Sequence, residues 1–70
     1  MSIESDIEDL FEDAKEAVID AGKASTSYLQ RKLRVGYSVA AGLIDSLEGE
    51  GVLGPAHGSK PREILVDKDD

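Results

Sequence analysis

Cysteine is missing from the 70 residues, and histidine occurs once, at His57. Without thiols there is neither a disulfide framework nor a thiolate metal site. A lone imidazole does not build a metal centre, so no cofactor is expected. Long apolar runs are missing too: nothing approaches the roughly 20 residues that cross a bilayer. The opening MSIESDIEDL is acidic where a secretory signal needs a basic start and an apolar stretch. The chain is therefore expected to be soluble and cytoplasmic, to make no membrane contact, and to be a monomer in isolation. No P-loop, EF-hand spacing or nucleophile elbow occurs, and repeats, linkers and low-complexity tracts are absent. His57 has Ser59 nearby, but in a Gly-rich loop of a domain too small to enclose a dry pocket. An enzyme is not expected.

One further absence organises the rest. From Lys23 to Ile44 there is no acidic residue, while Lys23, Arg31, Lys32 and Arg34 give that window a formal charge of +4 in a protein of net charge -7. Residues 1–22 carry eight carboxylates against Lys15 alone, and residues 45–70 carry seven against Lys60, Arg62 and Lys68. A basic window between acidic flanks has to face something the flanks do not, and a polyanion is the first candidate. With 33% charged and 40% hydrophobic residues the composition is globular, and disorder is expected only at the acidic tail, residues 67–70. A chain this short makes one domain and buries about 60% of its unfolded surface, so its stability is modest.

Ile3, Ile7, Leu10, Phe11, Ala14, Val18 and Ala21 recur at three- and four-residue spacing, which predicts an amphipathic helix over about residues 6–21, with Ser5 and Glu8 as a capping box and Gly22 as its stop. Its acidic opposite face reads as solvated surface. Ser27 and Gln30 form a second capping-box pattern, opening a short helix over about residues 27–33 that turns Leu29 and Leu33 inward and leaves Arg31 and Lys32 in water. Gly36 is expected to take a positive φ in the turn that follows. A third helix over about residues 37–48 buries Tyr37, Ala40, Ala41, Ile44 and Leu47, and presents Ser38, Val39, Gly42, Asp45 and Ser46 outward. Two helices joined by a short Gly-containing turn meet the helix-turn-helix description. Gly and Pro punctuation across residues 52–66 then reads as a β-hairpin wing, with Lys60 and Arg62 at its base. The expected fold is mainly α with a small β-hairpin: a single winged-helix domain of three helices plus wing.

The outward positions of the third helix are poor base readers. None offers the side-chain fork that reads guanine or adenine edges, and Asp45 repels phosphate.

The segments Leu29-Gln30-Arg31-Lys32-Leu33-Arg34-Val35-Gly36-Tyr37 and Gly58-Ser59-Lys60-Pro61-Arg62-Glu63-Ile64-Leu65, with Ala40-Ala41, Leu43-Ile44-Asp45, Gly51-Val52 and Gly54-Pro55 between them, resemble the C-terminal gamma domain of the FtsK/SpoIIIE DNA translocases. The likeness covers Leu10 to Val66. It implies a winged-helix module that binds short G-rich polar sequences in double-stranded DNA and orients a motor during chromosome segregation and cell division. In some members the domain also contacts a Xer-type tyrosine recombinase. If the chain belongs to a translocase, its ATPase lies elsewhere. The DNA-binding set implied on this sequence is Ser27, Arg31, Lys32, Arg34, Tyr37, Ser38, Gly42, Asp45, Lys60 and Arg62.

Two positions depart from the family pattern. After the tyrosine the family commonly carries a polar residue, Arg, two alanines and Arg; here the run is Ser38-Val39-Ala40-Ala41-Gly42, with Asp45 kept as the acid one turn on. The loss of two cations implies weakened, altered or lost sequence reading, since a bidentate Arg to guanine is worth roughly 1–3 kcal/mol of discrimination. The alternative reading is a protein-interaction module that docks on a recombinase or motor partner, with DNA binding reduced or lost.

Overall fold

The apolar periodicity of the first segment produces a longer helix than expected. In a computed structural model that describes residues 3–56 and 62–66, α1 runs Ile3–Ala21, α2 Thr26–Leu33 and α3 Tyr37–Gly49. Ser5 therefore lies inside α1 and is not its cap. Gly22 does stop α1, at φ 69°, with its amide donating to the Val18 carbonyl at 3.0 Å. The cap of α2 is Ser25, whose hydroxyl accepts from the Tyr28 amide at 3.0 Å; Ser27 sits in the first turn instead. In this run of cap-competent residues, the serine preceding the first helical residue takes the extended conformation a cap requires, φ -141° and ψ 151°.

The three helices pack around Ala14, Ala17, Val18, Ala24, Leu29, Ala40, Leu43, Ile44, Leu47, Val52 and Leu53, an entirely apolar core among the described residues. Ile7, Leu10, Phe11 and Leu33 close its edges, half-buried, whereas Ala21 is exposed at the end of α1. A second tie holds α2 to α1. The Tyr28 hydroxyl reaches the Ala17 carbonyl at 3.5 Å, and Lys23 Nζ lies 5.0 Å from the centre of the Tyr28 ring.

The end of α3 is a Schellman-type stop. Gly51 at φ 79° donates to the Glu48 carbonyl at 3.0 Å, and Val52 donates to the Leu47 carbonyl at 2.9 Å. This reversal drops Val52 and Leu53 into the core and sends the chain back along the bundle. The expected hairpin is reduced to one antiparallel bridge, Leu53 to Ile64, flanked by Gly54 N to Glu63 O and Leu65 N to Val52 O, both 2.8 Å. No strand forms among the described residues. The intervening loop, including His57, Ser59 and Lys60, and the tail at residues 67–70 lie outside them. No helix among the described residues is long and apolar enough to cross a membrane.

Candidate nucleic-acid interface

The acid-free window folds into one continuous run: the approach to α2, α2 itself, the α2–α3 turn and the first half of α3. Leu29 on α2 goes fully into the core, which leaves Ser27, Arg31 and Lys32 exposed. Ser27, Arg31 and Arg34 follow at four- and three-residue spacing and so share one face. Lys32 is turned toward α1, where it lines a shallow depression with Asp13, Glu16, Ala17 and Asp20. Arg31 and Lys32 stand in the last turn of α2, and the carbonyl end of a helix favours cations there by about 0.3–1 kcal/mol. Part of this charge therefore stabilises the helix.

The positive φ expected at Gly36 belongs to Arg34. Arg34 closes α2 in the left-handed conformation, φ 58° and ψ 48°, its amide donating to the Gln30 carbonyl. Gly36 has φ -77° and ψ 173° and serves as the N-cap of α3, where it has no side chain to accept from the first amides. A non-glycine residue in the left-handed region costs about 1 kcal/mol relative to Gly. Among the described residues the other positive-φ positions, Gly22 and Gly51, are glycines. The chain thus holds an exposed guanidinium at a backbone position that favours glycine, next to a helix N-terminus whose amides suit an anion.

On α3, Ala40, Leu43, Ile44 and Leu47 face the core, and the solvent stripe is Tyr37, Ser38, Asp45 and Glu48, with half-buried Ala41 between. Tyr37 was expected inside, sharing its azimuth with Ile44 one heptad later. At the first residue of the helix it is left 67% exposed. Gly42 was expected outside and is covered. A Cβ built there would collide with Ile7 Cδ1 and stand 3.1 Å from Ile7 Cγ1. Val39 and Ser46, also expected outside, are half-buried, Val39 against the core and Ser46 in a depression shared with Ile7, Glu8, Phe11, Gly49 and Glu50. The sequence offered only a hint, a glycine in mid-helix at Gly42, where a missing side chain costs helix propensity and makes room for a close neighbour.

Arg62, expected free to meet a phosphate, is engaged. Its Nη1 donates to Glu48 Oε1 at 2.6 Å and to the Gly54 carbonyl at 3.0 Å, and its side chain is 18% exposed. Lys60 lies outside the described residues. The structure thus brings Ser27, Arg31, Arg34, Tyr37 and Ser38 to one exposed end of the α2–α3 unit. Asp45 stays exposed further along α3, Gly42 lies under α1, and Arg62 is fastened to the end of α3.

A family model described as the Ftsk gamma domain matches residues 5–67. The chain is 59% identical over 56 residues, 80% of its length, to a protein named DNA translocase FtsK from Treponema pallidum. It is 52% identical over 61 residues, 87% of its length, to the protein of that name from Chlamydia trachomatis, and 51% identical over 67 residues, 96% of its length, to that from Clostridium acetobutylicum. It spans only 7%, 8% and 9% of those three relatives, respectively.

Proposed function

The chain belongs to the Ftsk gamma domain family, and from that membership we propose that it is a double-stranded-DNA-binding module of a DNA translocase, without catalytic chemistry of its own. The observation that carries this reading is the continuous acid-free run in which Ser27, Arg31, Lys32, Arg34, Tyr37 and Ser38 are all exposed. Arg31 and Arg34 hold the backbone, while Ser27, Ser38 and the uncapped amides of α3 supply neutral donors to phosphate; Lys32, turned toward the acidic residues of α1, stands outside these contacts. The single Leu53–Ile64 bridge supports reading the arm after α3 as the base of a wing, the element that would complete a winged helix, and the sequence between the two bridge residues offers Lys60 as a further cation. The DNA word is a short G-rich polar sequence that orients the motor in chromosome segregation, read weakly because the solvent stripe of α3 carries no cation.

That stripe favours a second reading. Asp45, with Glu48 taken up by Arg62, leaves it without a free cation and with a negative charge, which suits docking on a tyrosine recombinase or a motor partner with DNA contact secondary. A fluorescence-anisotropy titration of duplexes with and without a G-rich polar octamer, at low and moderate salt, separates the two. Each phosphate neutralised contributes about 0.9 to the slope of log K against log salt, so Arg31 and Arg34 together should give a slope of about -2. Salt-insensitive or absent duplex binding would favour the docking module.

A further inference from the structure

The contact between Ile7 and Gly42 fixes more than two helices. It seats the first turns of α1 along the edge of α3, and those turns are the most acidic part of the molecule. Residues 3–13 hold Glu4, Asp6, Glu8, Asp9, Glu12 and Asp13 and no cation. Just beyond the notch, exposed Glu8 of α1 and exposed Glu50 after α3 line one depression with Ser46 and Gly49, two like charges brought to one flank of α3. Like charges brought together at a helix edge do not stabilise the fold. They do repel a polyanion approaching α3 from that side. Asp45 extends the same negative border along the solvent stripe.

We infer that Glu8 of α1, seated beside α3 by the Ile7–Gly42 notch, acts with Glu50 as an intramolecular electrostatic guard that confines a polyanion to the Ser27–Ser38 end of the domain. Gly42 is then a positioning residue. A large side chain there would displace Ile7 and lift the guard, whereas glycine lets it close. This rests on the DNA-binding reading above, and goes beyond it by placing a limit on the footprint inside the fold.

The test compares two pairs of neutral substitutions in otherwise intact protein. Glu8→Gln with Glu50→Gln removes the charges beside α3. Asp9→Asn with Glu12→Gln removes the same number from exposed positions on the solvent face of α1. Duplex affinity is read by anisotropy. The first pair is expected to tighten binding about five-fold at low salt and less than about two-fold where the Debye length has fallen to a few ångströms. The second pair should change it by less than about two-fold. Ile7→Ala, which empties the notch without altering charge, is expected to shift affinity in the same direction as the first pair. Equal gains from both pairs would mean net charge alone governs binding and would overturn the inference. So would no gain from Glu8→Gln with Glu50→Gln, or none from Ile7→Ala, while the parent binds in a salt-dependent manner. Failure of the parent and every variant to bind a duplex at low salt would overturn the DNA-binding reading itself, and this inference with it.

Discussion

Arg62 and Glu48 join the returning arm of the chain to the end of α3: one guanidinium nitrogen, Nη1, donates both to Glu48 Oε1 at 2.6 Å and to the Gly54 carbonyl at 3.0 Å. A single cation satisfies a carboxylate on a helix and a backbone carbonyl on the arm. In a domain with one bridge in place of a sheet, that tie helps hold the arm against the helices.

Arg62→Ala is therefore expected to cost about 1–2 kcal/mol, more than an exposed ion pair would, because it removes a charged hydrogen bond to a backbone carbonyl in addition to the pair. Urea unfolding should show a lower midpoint with an unchanged slope. Glu48→Gln, which keeps an acceptor, should cost less than about 1 kcal/mol. Equal stability of Arg62→Ala and the parent would remove the structural role assigned to this residue.

At Arg34, stability and binding are expected to move in opposite directions. Arg34→Gly relieves the left-handed conformation and should raise stability by about 1 kcal/mol, read as a higher urea midpoint. The same change removes one cation from the interface and should lower the salt slope by about 1. A destabilised Arg34→Gly would show that the arginine is held there by packing.

The two serines before and within α2 can be told apart. Ser25→Ala should cost about 1 kcal/mol through loss of the bond to the Tyr28 amide, and Ser27→Ala less than about 0.5 kcal/mol. The reverse order of urea midpoints would return the cap to Ser27.

Gly42→Arg is expected to destabilise the domain by about 1–3 kcal/mol, as overpacking does, because the side chain must displace Ile7. Gly42→Ala should be close to neutral: the Cβ meets the flexible tip of Ile7, and the gain in helix propensity of about 1 kcal/mol offsets the shift. Combining Ile7→Ala with Gly42→Arg should cost less than the sum of the two single changes, the coupling expected of residues in contact. Additive costs would mean the two side chains do not meet.

The sequence revealed those features that depend on periodicity. The three helices and the inward turn of Leu29, Ala40, Ile44 and Leu47 follow from three- and four-residue spacing, because burial of an apolar face dominates the energetics of a short helix, and the stop at Gly22 follows from the left-handed conformation that glycine takes at least cost. Features set by contact across elements were not legible. Whether Gly42 faces water or Ile7 depends on where α1 crosses α3, and three aliphatic spacings do not specify a crossing. The left-handed residue was sought at a glycine, since glycine adopts that conformation at least cost, yet the reach of the α2 stop put it two residues earlier, at Arg34. The partner of Arg62 is Glu48, 14 positions away and brought near only by the reversal at Gly51. Exposure of Arg31 and Lys32, by contrast, followed once Leu29 was placed inside.

The most direct test of the interface is an amide nuclear magnetic resonance titration of the folded domain with a G-rich duplex at low salt. Shifts that begin at Ser27, Arg31, Arg34, Tyr37 and Ser38, with the acidic face of α1 unmoved, are the expected result. Shifts confined to α1 or to the arm after Gly51, or none at all, would contradict the placement of a DNA-binding surface on the α2–α3 unit.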